Sequence, residues 1–407
     1  MPDDRLLGVF EPGGIRVLYQ PVVELETRQV LGYEALARGP AGTALEDPTA
    51  LFDLARRDGL VDELDWCCRG AALEGALRAE MGNSLTLFMN TEPDVGSEPV
   101  PERYEEVIGQ AEHALRVVVE VTESAVVERP AALLQAIDWA RDRSWGVALD
   151  DIGANPGSLA MMPFLEPDVI KLDMRLVQQH PTQEIGMIVS AALAQAERSG
   201  AVIAAEGIET EDHLQAALAM GATVGQGWLF GHPAPLPASL PVPDDVIQIL
   251  SGPAPRSELT PFSAVRAARP VRRGSKRTLV EMATHLEEQA IAWRDGPVIL
   301  STFQDGDHWD TQRYETLAEQ GSFVVLLGHG MPDDPCAGVR GAALPDGHRL
   351  HDEWSVVVVG PHYAGALVAR DLNDTGPEAD RRYDFAVTHD RNLVVEAGRA
   401  LLRQLAP

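Results

Sequence analysis

The run Val147-Ala148-Leu149-Asp150-Asp151 is a short apolar segment that ends in two adjacent carboxylates, and Ile152-Gly153 follows it. Its apolar part is typical of a strand that is buried on both faces. Aspartate and glycine are poor strand formers, so the two acids are expected where a buried strand leaves the core. Two like charges in that place repel each other unless a cation lies between them or one takes up a proton. A simple acidic turn is the alternative interpretation, and the rest of the chain decides between the two.

Strand and helix patterns alternate regularly from residue 15 to residue 233. The predicted strands cover residues 15–23, 30–38, 85–89, 116–121, 147–151, 169–172, 201–205 and 223–230. Alternation of this kind indicates parallel strands joined by crossover helices. About eight strands in about 230 residues match a TIM-type (β/α)8 barrel better than an open sheet. The first part of the chain is therefore predicted to be an α/β protein with this barrel.

Polar residues, mostly acids, lie at or near the carboxyl end of strand after strand. They are Glu34, Asn90, Glu120, Asp150, Asp151, Lys171, Glu206 and Gln226. The carboxyl ends of barrel strands converge on one rim, which is where barrel active sites are built. A single polar residue in such a place is usually a helix cap or a loop contact, but a series on successive strands is hard to explain in that way. We therefore expect these side chains to form one site.

The donor atoms in this set indicate a magnesium or manganese site. Asp, Glu and Asn offer hard oxygen ligands, which suit Mg²⁺ or Mn²⁺, and no cluster of cysteine and histidine for zinc occurs in this region. A carboxylate pair such as Asp150-Asp151 can serve two metal ions, a common arrangement for phosphodiester hydrolysis. Lys171 is the only lysine before Lys276, and its compact ammonium can contact a water or a carboxylate. The predicted chemistry is metal-dependent hydrolysis of a phosphate ester.

The properties of the whole chain restrict its partners. It has 407 residues and a formal net charge of −29, and such a charge repels DNA and anionic membranes. There is no signal-peptide pattern and no apolar run near the ~20 residues that span a bilayer, so we expect a cytoplasmic protein without a membrane partner. Cys67, Cys68 and Cys336 cannot form a disulfide framework. A chain of this length exceeds one compact core, which predicts two domains.

Residues 15–233 resemble the EAL-domain cyclic-di-GMP phosphodiesterases. The matching motifs are Tyr19-Gln20-Pro21, Glu34-Ala35-Leu36 with Arg38, Asn90, Glu120-Val121-Thr122-Glu123, Asp150-Asp151, Lys171-Leu172-Asp173, Ala205-Glu206-Gly207-Ile208-Glu209 and Gly225-Gln226-Gly227-Trp228-Leu229-Phe230. Their order and spacing make the resemblance specific, whereas the Glu-Ala-Leu tripeptide alone would carry no weight. The resemblance implies a TIM-type barrel that binds cyclic di-GMP and hydrolyses it to linear pGpG, with Mg²⁺ or Mn²⁺ in a two-metal site.

The same resemblance implies a role for each matching residue. The metal ligands would be Glu34, Asn90, Glu120, Asp150 and Asp151. The catalytic residues would be Glu206, Lys171 and Asp151, and the substrate-binding residues would be Arg38, Gln20 and Gln226. Supporting residues would be Glu123, Asp173 and Glu209. Which group takes the proton of the attacking water stays open, since two metal ions can ionise that water themselves.

The segment after the aspartate pair departs from the family pattern. It reads Ile152-Gly153-Ala154-Asn155-Pro156-Gly157-Ser158-Leu159, where the family usually has Phe-Gly-Thr-Gly-Tyr-Ser-Ser-Leu. In the family this loop is associated with dimer contacts and with positioning the second metal ion. The sequence leaves three hypotheses. The complete set of rim residues favours a phosphodiesterase that is regulated by its C-terminal domain and can form a homodimer. The altered segment favours a catalytically weak or inactive cyclic-di-GMP receptor that signals through that domain. The third hypothesis, an inert barrel in a pure interaction protein, is disfavoured by the intact rim.

A proline-rich stretch at residues 241–275 separates the barrel region, residues 1–240, from a smaller region, residues 276–407. We expect the stretch to be a semi-rigid linker with at most a short helix. In the smaller region, strand patterns at 297–303, 323–327, 355–359 and 364–369 lie between helix patterns at 279–293 and 393–405. These patterns predict a second α/β domain. No second constellation of acids occurs there, so catalysis is not expected in it.

This second region resembles the DICT domain, a sensory or interaction module. The similarities are the helix that opens at Lys276, Trp354 before a valine-rich strand, Gly360-Pro361, Arg370-Asp371 and Phe385. The resemblance implies an unknown signal or protein partner at this domain, through which the barrel would be regulated.

Overall fold

The computed structural model describes residues 6, 8–11, 13–92, 99–153, 156–249, 259–293, 296–305, 309–375 and 377–405, with the backbone alone at 156–158 and 305. The chain divides into two compact units. The first contains residues 1–125, 132–154 and 167–254, and the second contains residues 126–131, 155–166 and 255–407. No helix in the described part of the chain is both long enough and apolar enough to cross a membrane.

Eight strands form a closed barrel in the order in which they occur in the chain. They are β1 (Arg16–Glu24), β2 (Val30–Arg38), β3 (Thr86–Asn90), β4 (Arg116–Thr122), β5 (Gly146–Ile152), β6 (Val169–Leu172), β7 (Val202–Ala205) and β8 (Val224–Gly225). Each pair of neighbours from β2 to β8 is parallel. The TIM-type barrel predicted from the alternation of strands and helices is confirmed.

Helices connect the parallel strands. In chain order they are α1 (Pro48–Asp58), α2 (Val61–Arg78), α3 (Glu102–Ala114), α4 (Glu123–Glu128), α5 (Pro130–Asp142), α6 (Met162–Leu165), α7 (Met174–Gln178), α8 (Gln183–Ser199) and α9 (Glu211–Ala219). Local residues fix their ends. The Asp47 carboxylate accepts from the amide of Ala50 at the start of α1, and Gly200, in the left-handed conformation, ends α8.

The first strand runs against the direction of its neighbours. β1 is antiparallel to β2, with Gln20 opposite Glu34, and it is also antiparallel to β8. The regular alternation predicted parallel strands throughout, and that detail is wrong for β1. The reason is the length of the connection. Only residues 25–29 join β1 to β2, whereas a parallel pair needs a crossover of about a dozen residues or more.

The second unit contains a seven-stranded sheet in the order β12-β11-β10-β13-β14-β15-β9. Its strands are β9 (Arg272–Ser275), β10 (Val298–Asp305), β11 (Phe323–His329), β12 (Val339–Ala343), β13 (Glu353–Val359), β14 (Ala364–Asp371) and β15 (Arg382–Thr388). Its helices are α10 (Pro261–Ala268), α11 (Lys276–Trp293), α12 (Thr311–Glu319) and α13 (Arg391–Leu402). Leu286 of α11 and Leu317 of α12 belong to the same buried cluster as Val356 and Leu367 of the sheet. α10 and α13 contact β13 and β14. The second α/β domain predicted from the sequence is confirmed.

Several elements of this unit lie where the sequence patterns predicted none. Within the stretch 241–275, α10 is the one short helix that was allowed for, but β9 was not expected, and it pairs with β15 in the sheet. β12, β15 and α12 are also additional. The signals of β9 and β12 are weak because both are edge strands, with arginine and glycine in place of alternating large apolar residues.

Candidate active site

The two-residue period of a strand places the polar side chains at one end of the barrel interior. One buried apolar cluster has members on all eight strands, and those on β3 to β8 are Phe88, Val118, Ala148, Val169, Ala204 and Val224. The polar residues that follow them by two positions are Asn90, Glu120, Asp150, Lys171, Glu206 and Gln226. Residues two apart share a face, so the interior is apolar in its middle and polar at the carboxyl rim.

Lys171 lies at the centre of this polar layer. Its Nζ atom is 2.7 Å from a carboxylate oxygen of Glu120 and 2.7 Å from one of Glu206. It is 3.0 Å from Asp150 and 3.8 Å from Glu34. The Lys171 side chain is only 4% exposed, so water and salt screen these charges little. One ammonium therefore faces four carboxylates, and the cluster has a surplus of negative charge.

Two amide side chains hold the carboxylate of Glu34. Asn90 donates from Nδ2 to one of its oxygens at 3.3 Å, and Gln226 donates from Nε2 to the other. The same Nε2 atom donates to Oε1 of Glu206 at 3.2 Å. Side chains from β2, from β3 and from the residue after β8 are thus joined in one network with the groups around Lys171.

Asp150 and Asp151 lie in an irregularity of the pairing between β5 and β6, between Leu149 and Ile152. Asp151 has a φ of 59°, a left-handed conformation that is uncommon for a residue with a side chain. Carboxylate oxygens of Asp150, Asp151 and Glu206 lie within 4.8 Å of one another. Adjacent residues of a regular strand point to opposite faces, so this bulge is what brings both aspartates to the same rim.

Burial is the main cause of the pKa shifts in this cluster. It raises the pKa of Glu120 well above the usual range and that of Glu206 to about 8, against the opposing effect of Lys171. Burial and the neighbouring Asp150 raise the pKa of Asp151. Burial alone would lower the pKa of Lys171, but the surrounding carboxylates raise it well above its usual range. Lys171 therefore stays protonated, but its single positive charge does not balance the negative charge of the carboxylates around it.

The donor set fits a divalent cation. Apart from the ion pair with Lys171, neither carboxylate oxygen of Glu120 accepts a hydrogen bond from the described residues, although both oxygens are buried. The available ligand atoms are carboxylate oxygens and the amide oxygen of Asn90, which suit Mg²⁺ or Mn²⁺. In the described ranges, no other group of three His, Cys, Asp or Glu side chains meets the same spacing.

A cavity of about 370 Å³ opens beside the rim at β2 and β3. Arg38 and Asn90 line it together with Asp65 and Arg69 of α2. Arg38 is half-buried, and its guanidinium donates to the backbone carbonyl of Ala37 at 2.8 Å. The lining of this cavity therefore includes a cationic side chain and one of the predicted metal ligands, with room for the organic part of an anionic ligand.

Asp65 and Arg69 are residues of this cavity that the sequence analysis missed. Oδ2 of Asp65 is 2.8 Å from Nε of Arg69, and both side chains are buried. The amide of Glu92 donates to Asp65 at 3.2 Å, and the Arg69 guanidinium lies 3.7 Å above the ring of Trp66. Burial raises the pKa of Asp65 to about 6. The sequence feature that could have identified this pair is an acid and a base four positions apart within a mostly apolar helix pattern.

The other predicted residues lie in varied surroundings. Gln20 is buried and donates to a backbone carbonyl at 3.2 Å. Asp173 precedes α7, and its carboxylate accepts from the backbone and the side chain of Arg175, each at 2.8 Å. Glu123 is buried at the start of α4, whereas Glu209 is exposed. The roles of these four residues stay predictions.

The divergent segment 152–157 is described only in part. Ile152 is buried, and Gly153 has a φ of 110°, which favours glycine. Ala154 and Asn155 lie outside the described residues, as do the side chains at 156–158. The backbone forms a 3-10 helix at Pro156–Met161, and α6 follows directly.

These two short helices belong to the second unit, which includes residues 155–166. Within that unit, Nε of Arg399 on α13 donates to the Phe164 carbonyl at 2.6 Å. The same guanidinium lies 3.1 Å from the Glu166 carboxylate. A Cβ atom at Gly398 would lie 2.5 Å from the Phe164 ring, which explains why glycine occupies that position.

Two family models match the chain in succession. The model described as "EAL domain" matches residues 4–233. The DICT model, described as "Sensory domain in DIguanylate Cyclases and Two-component system", matches residues 259–372. The first match covers more than half of the 407 residues and includes every residue predicted for the site.

Curated proteins and solved structures show the same similarity. The cyclic di-GMP phosphodiesterase RocR of Pseudomonas aeruginosa is 29% identical over 232 residues, which are 56% of this chain and 59% of RocR. The probable cyclic di-GMP phosphodiesterase PdeI of Escherichia coli is 27% identical over 242 residues, 56% of this chain and 30% of PdeI. The calcium and cyclic di-GMP complex of Klebsiella pneumoniae BlrP1 is 26% identical, with a TM-score of 0.48 over 55% of this chain and 56% of that one. The matched part is less than two thirds of each of these proteins.

Proposed function

Because the chain belongs to the EAL-domain family, we propose that its barrel hydrolyses cyclic di-GMP to linear pGpG with Mg²⁺ or Mn²⁺. The observation that carries the proposal is the surplus of buried carboxylates around Lys171 at the carboxyl rim. A surplus of buried negative charge favours the binding of cations, and bound cations allow an acidic protein to bind a phosphodiester. The names of RocR and PdeI support the choice of substrate.

The proposed reaction adds water to one of the two phosphodiesters of the ring. The water oxygen bonds to phosphorus while the bond from that phosphorus to a ribose 3′ oxygen breaks, so that the ring opens and pGpG keeps a 5′ phosphate. The residues that would hold the cations are Glu34, Asn90, Glu120, Asp150 and Asp151. When bound, the cations would activate the water and offset the charge of the phosphate.

The remaining rim residues would position these groups. Gln226 donates to both Glu34 and Glu206 and so fixes the two carboxylates relative to each other. Lys171 holds three carboxylates in place, and its ammonium can donate to the attacking water. Arg38 shares a cavity with a predicted metal ligand and has the planar guanidinium that suits a phosphate oxygen pair.

The test is a chromatographic assay of pGpG formation with Mg²⁺ and with Mn²⁺, on the full chain and on Glu34→Gln. We expect turnover by the parent protein and a loss of at least about a hundredfold in kcat/KM for Glu34→Gln, since a metal ligand is removed. Glu26→Gln is the matched control, because Glu26 is exposed in the turn between β1 and β2, at the opposite end of the barrel. Absence of pGpG with both metals would refute the proposal. Tight binding of cyclic di-GMP in calorimetry together with that result would identify a receptor.

We further propose that the C-terminal region regulates the barrel. Its unit takes in residues 126–131 and 155–166, which closely follow the predicted metal ligands of β4 and β5 in the chain. Arg399 binds the second of these segments through Phe164 and Glu166. Arg399→Ala is therefore expected to change kcat, while Arg266→Ala, at an exposed arginine of α10, is expected to leave it unchanged. Equal kcat values for the two variants would contradict this form of regulation.

Other expectations stay predictions. They concern a homodimer, a cytoplasmic location, the absence of DNA and membrane partners, and the boundaries 1–240, 241–275 and 276–407. Light scattering on the purified chain, with and without cyclic di-GMP, would decide the oligomeric state.

A further inference from the structure

The second unit contains a cavity of about 680 Å³ between α11 and strands β14 and β15. Its floor is apolar and consists of Met282, Leu286, Leu367 and Val387. Its rim is polar and includes His285, Gln289 and His389. The volume lies within the range of roughly 300–1,000 Å³ that is typical of small-molecule sites. An apolar floor with a few polar groups at the edge is also the usual composition of such sites.

A series of hydrogen bonds through Tyr363 connects the three polar rim residues His285, Gln289 and His389. Nε2 of Gln289 donates to Nε2 of His285 at 3.1 Å, and the Tyr363 hydroxyl donates to Oε1 of Gln289 at 3.3 Å. Nδ1 of His389 lies 3.1 Å from the same hydroxyl and 3.2 Å from the Ala364 carbonyl. The single hydroxyl proton is used toward Gln289, so His389 must be the donor from Nδ1.

These hydrogen bonds run in one direction, and that direction determines which donor and acceptor atoms the rim presents to a ligand. His285 accepts at Nε2, so its proton is on Nδ1 and Nδ1–H is a donor. His389 donates at Nδ1, so its Nε2 is an acceptor. Both imidazoles are exposed. The two charged residues of the rim, Arg277 and Glu281, have opposite signs, so the rim favours no net charge on the ligand.

We propose that this cavity binds an uncharged heteroaromatic molecule whose edge carries a hydrogen-bond acceptor beside an N–H donor, as a lactam does. The rings pack on the apolar floor, where burial of their faces drives binding. The lactam edge faces His285, Gln289 and His389, which supply both a donor and an acceptor. The site is independent of the phosphodiester chemistry proposed for the barrel, and it gives the C-terminal unit a defined place to take up a small-molecule signal.

The test uses quinazolin-4(3H)-one as the probe and 4-methoxyquinazoline as its matched control, which keeps the two rings and lacks the lactam N–H. The full chain is labelled with ¹³C in the methyl groups of leucine, valine and methionine and titrated with each compound. We expect saturable shifts of the Leu367, Val387 and Met282 methyl signals with the lactam, and binding of the control that is weaker by roughly three- to tenfold. Because the readout is binding, its failure is separate from a failure of the phosphodiesterase assay.

Two variants separate the polar wall from the apolar floor. Tyr363→Phe removes the hydroxyl in the middle of the hydrogen-bond chain and is expected to weaken lactam binding by roughly three- to tenfold. Tyr383→Phe, which removes a hydroxyl bonded to Gln304 in the same sheet, is expected to have no effect. Val387→Trp fills the cavity and is expected to abolish the shifts. If its methyl spectrum shows that it does not fold, Tyr363→Phe decides.

Several results would overturn the proposal. They are the absence of saturable shifts, equal affinity for the lactam and its methoxy control, equal affinity of the parent and Tyr363→Phe, and shifts confined to methyl groups outside the cavity. Methyl shifts that depend on protein concentration in the absence of probe would show instead that a second copy of the chain covers the cavity, and would equally refute it.

Discussion

Replacing Lys171 by methionine should destabilise the protein when divalent cations are absent and should make its stability depend on them. Methionine keeps the length of the side chain but removes the ammonium. In the structure that ammonium is 2.7 Å from Glu120, 2.7 Å from Glu206 and 3.0 Å from Asp150. Without it, the described residues place no other basic side chain within 4.0 Å of these three carboxylates.

The size of the effect follows from the burial of the group. Removing one partner of a buried ion pair typically lowers the free energy of unfolding by about 3–5 kcal/mol. For a domain of 150–250 residues, 1 kcal/mol corresponds to about 2–4 °C in Tm. The expected decrease in Tm is therefore roughly 6–20 °C in the presence of EDTA. A cation that binds the folded state stabilises it more the more tightly it binds. Without the competing ammonium the carboxylates should bind Mn²⁺ more tightly, so Mn²⁺ should raise the Tm of the variant more than that of the parent.

The assay is thermal unfolding of the full chain followed by fluorescence, in EDTA and in excess Mn²⁺. Lys276→Met is the matched control, because Lys276 pairs with Glu378 near the surface of the second unit. Pairs of that kind contribute about 0–1 kcal/mol. The reasoning fails if Lys171→Met and Lys276→Met unfold at the same temperature in EDTA, or if Mn²⁺ stabilises Lys171→Met no more than the parent.

Two further predictions concern the ends of the barrel. Arg38→Lys keeps the positive charge but loses the planar donor pair of the guanidinium. We therefore expect KM for cyclic di-GMP to rise roughly tenfold with little change in kcat. An unchanged KM, or an equal rise in the control Arg266→Lys, would contradict the phosphate contact. Asp168→Asn at the start of β6 removes the partner of the buried Arg141 and should lower the free energy of unfolding by about 3–5 kcal/mol in urea titrations, with kcat of the folded enzyme unchanged. Asp212→Asn, at an exposed position, is its control; equal stability of the two variants would show that the buried pair contributes little.

The polar rim could be predicted from the sequence because its cause is local to each strand. The two-residue period places Glu120 above Val118 and Lys171 above Val169, whatever the other strands do. Parallel order then brings the strand ends together at one rim. The EAL and DICT resemblances are confirmed by the family models. The individual catalytic, metal-binding and substrate-binding roles stay predictions, since they depend on ligands.

Contacts between distant parts of the chain could not be predicted in this way. β9 has almost no strand signal of its own and is a strand because it pairs with β15, from Arg272–Phe385 to Ser275–Arg382. The cavity beside the rim depends on how α2 packs, which a pattern along the chain does not reveal. The antiparallel direction of β1, in contrast, had a local signal in the sequence. Residues 25–29 are too few for the crossover that a parallel pair needs, and this outweighs the general alternation of strands and helices.

The way in which the barrel closes has a consequence for how the chain folds while it is being synthesised. The contact between β1 and β8 consists of two residue pairs, Val23 with Gly225 and Glu24 with Val224. The hairpin of β1 and β2 can form as soon as it leaves the ribosome, but its second edge has no partner until residue 225 has been made. During that time an unpaired strand edge and an apolar interior are open to other chains. We therefore expect nascent chains that stop before β8 to need chaperones and to aggregate without them, whereas chains that extend past β8 fold on their own.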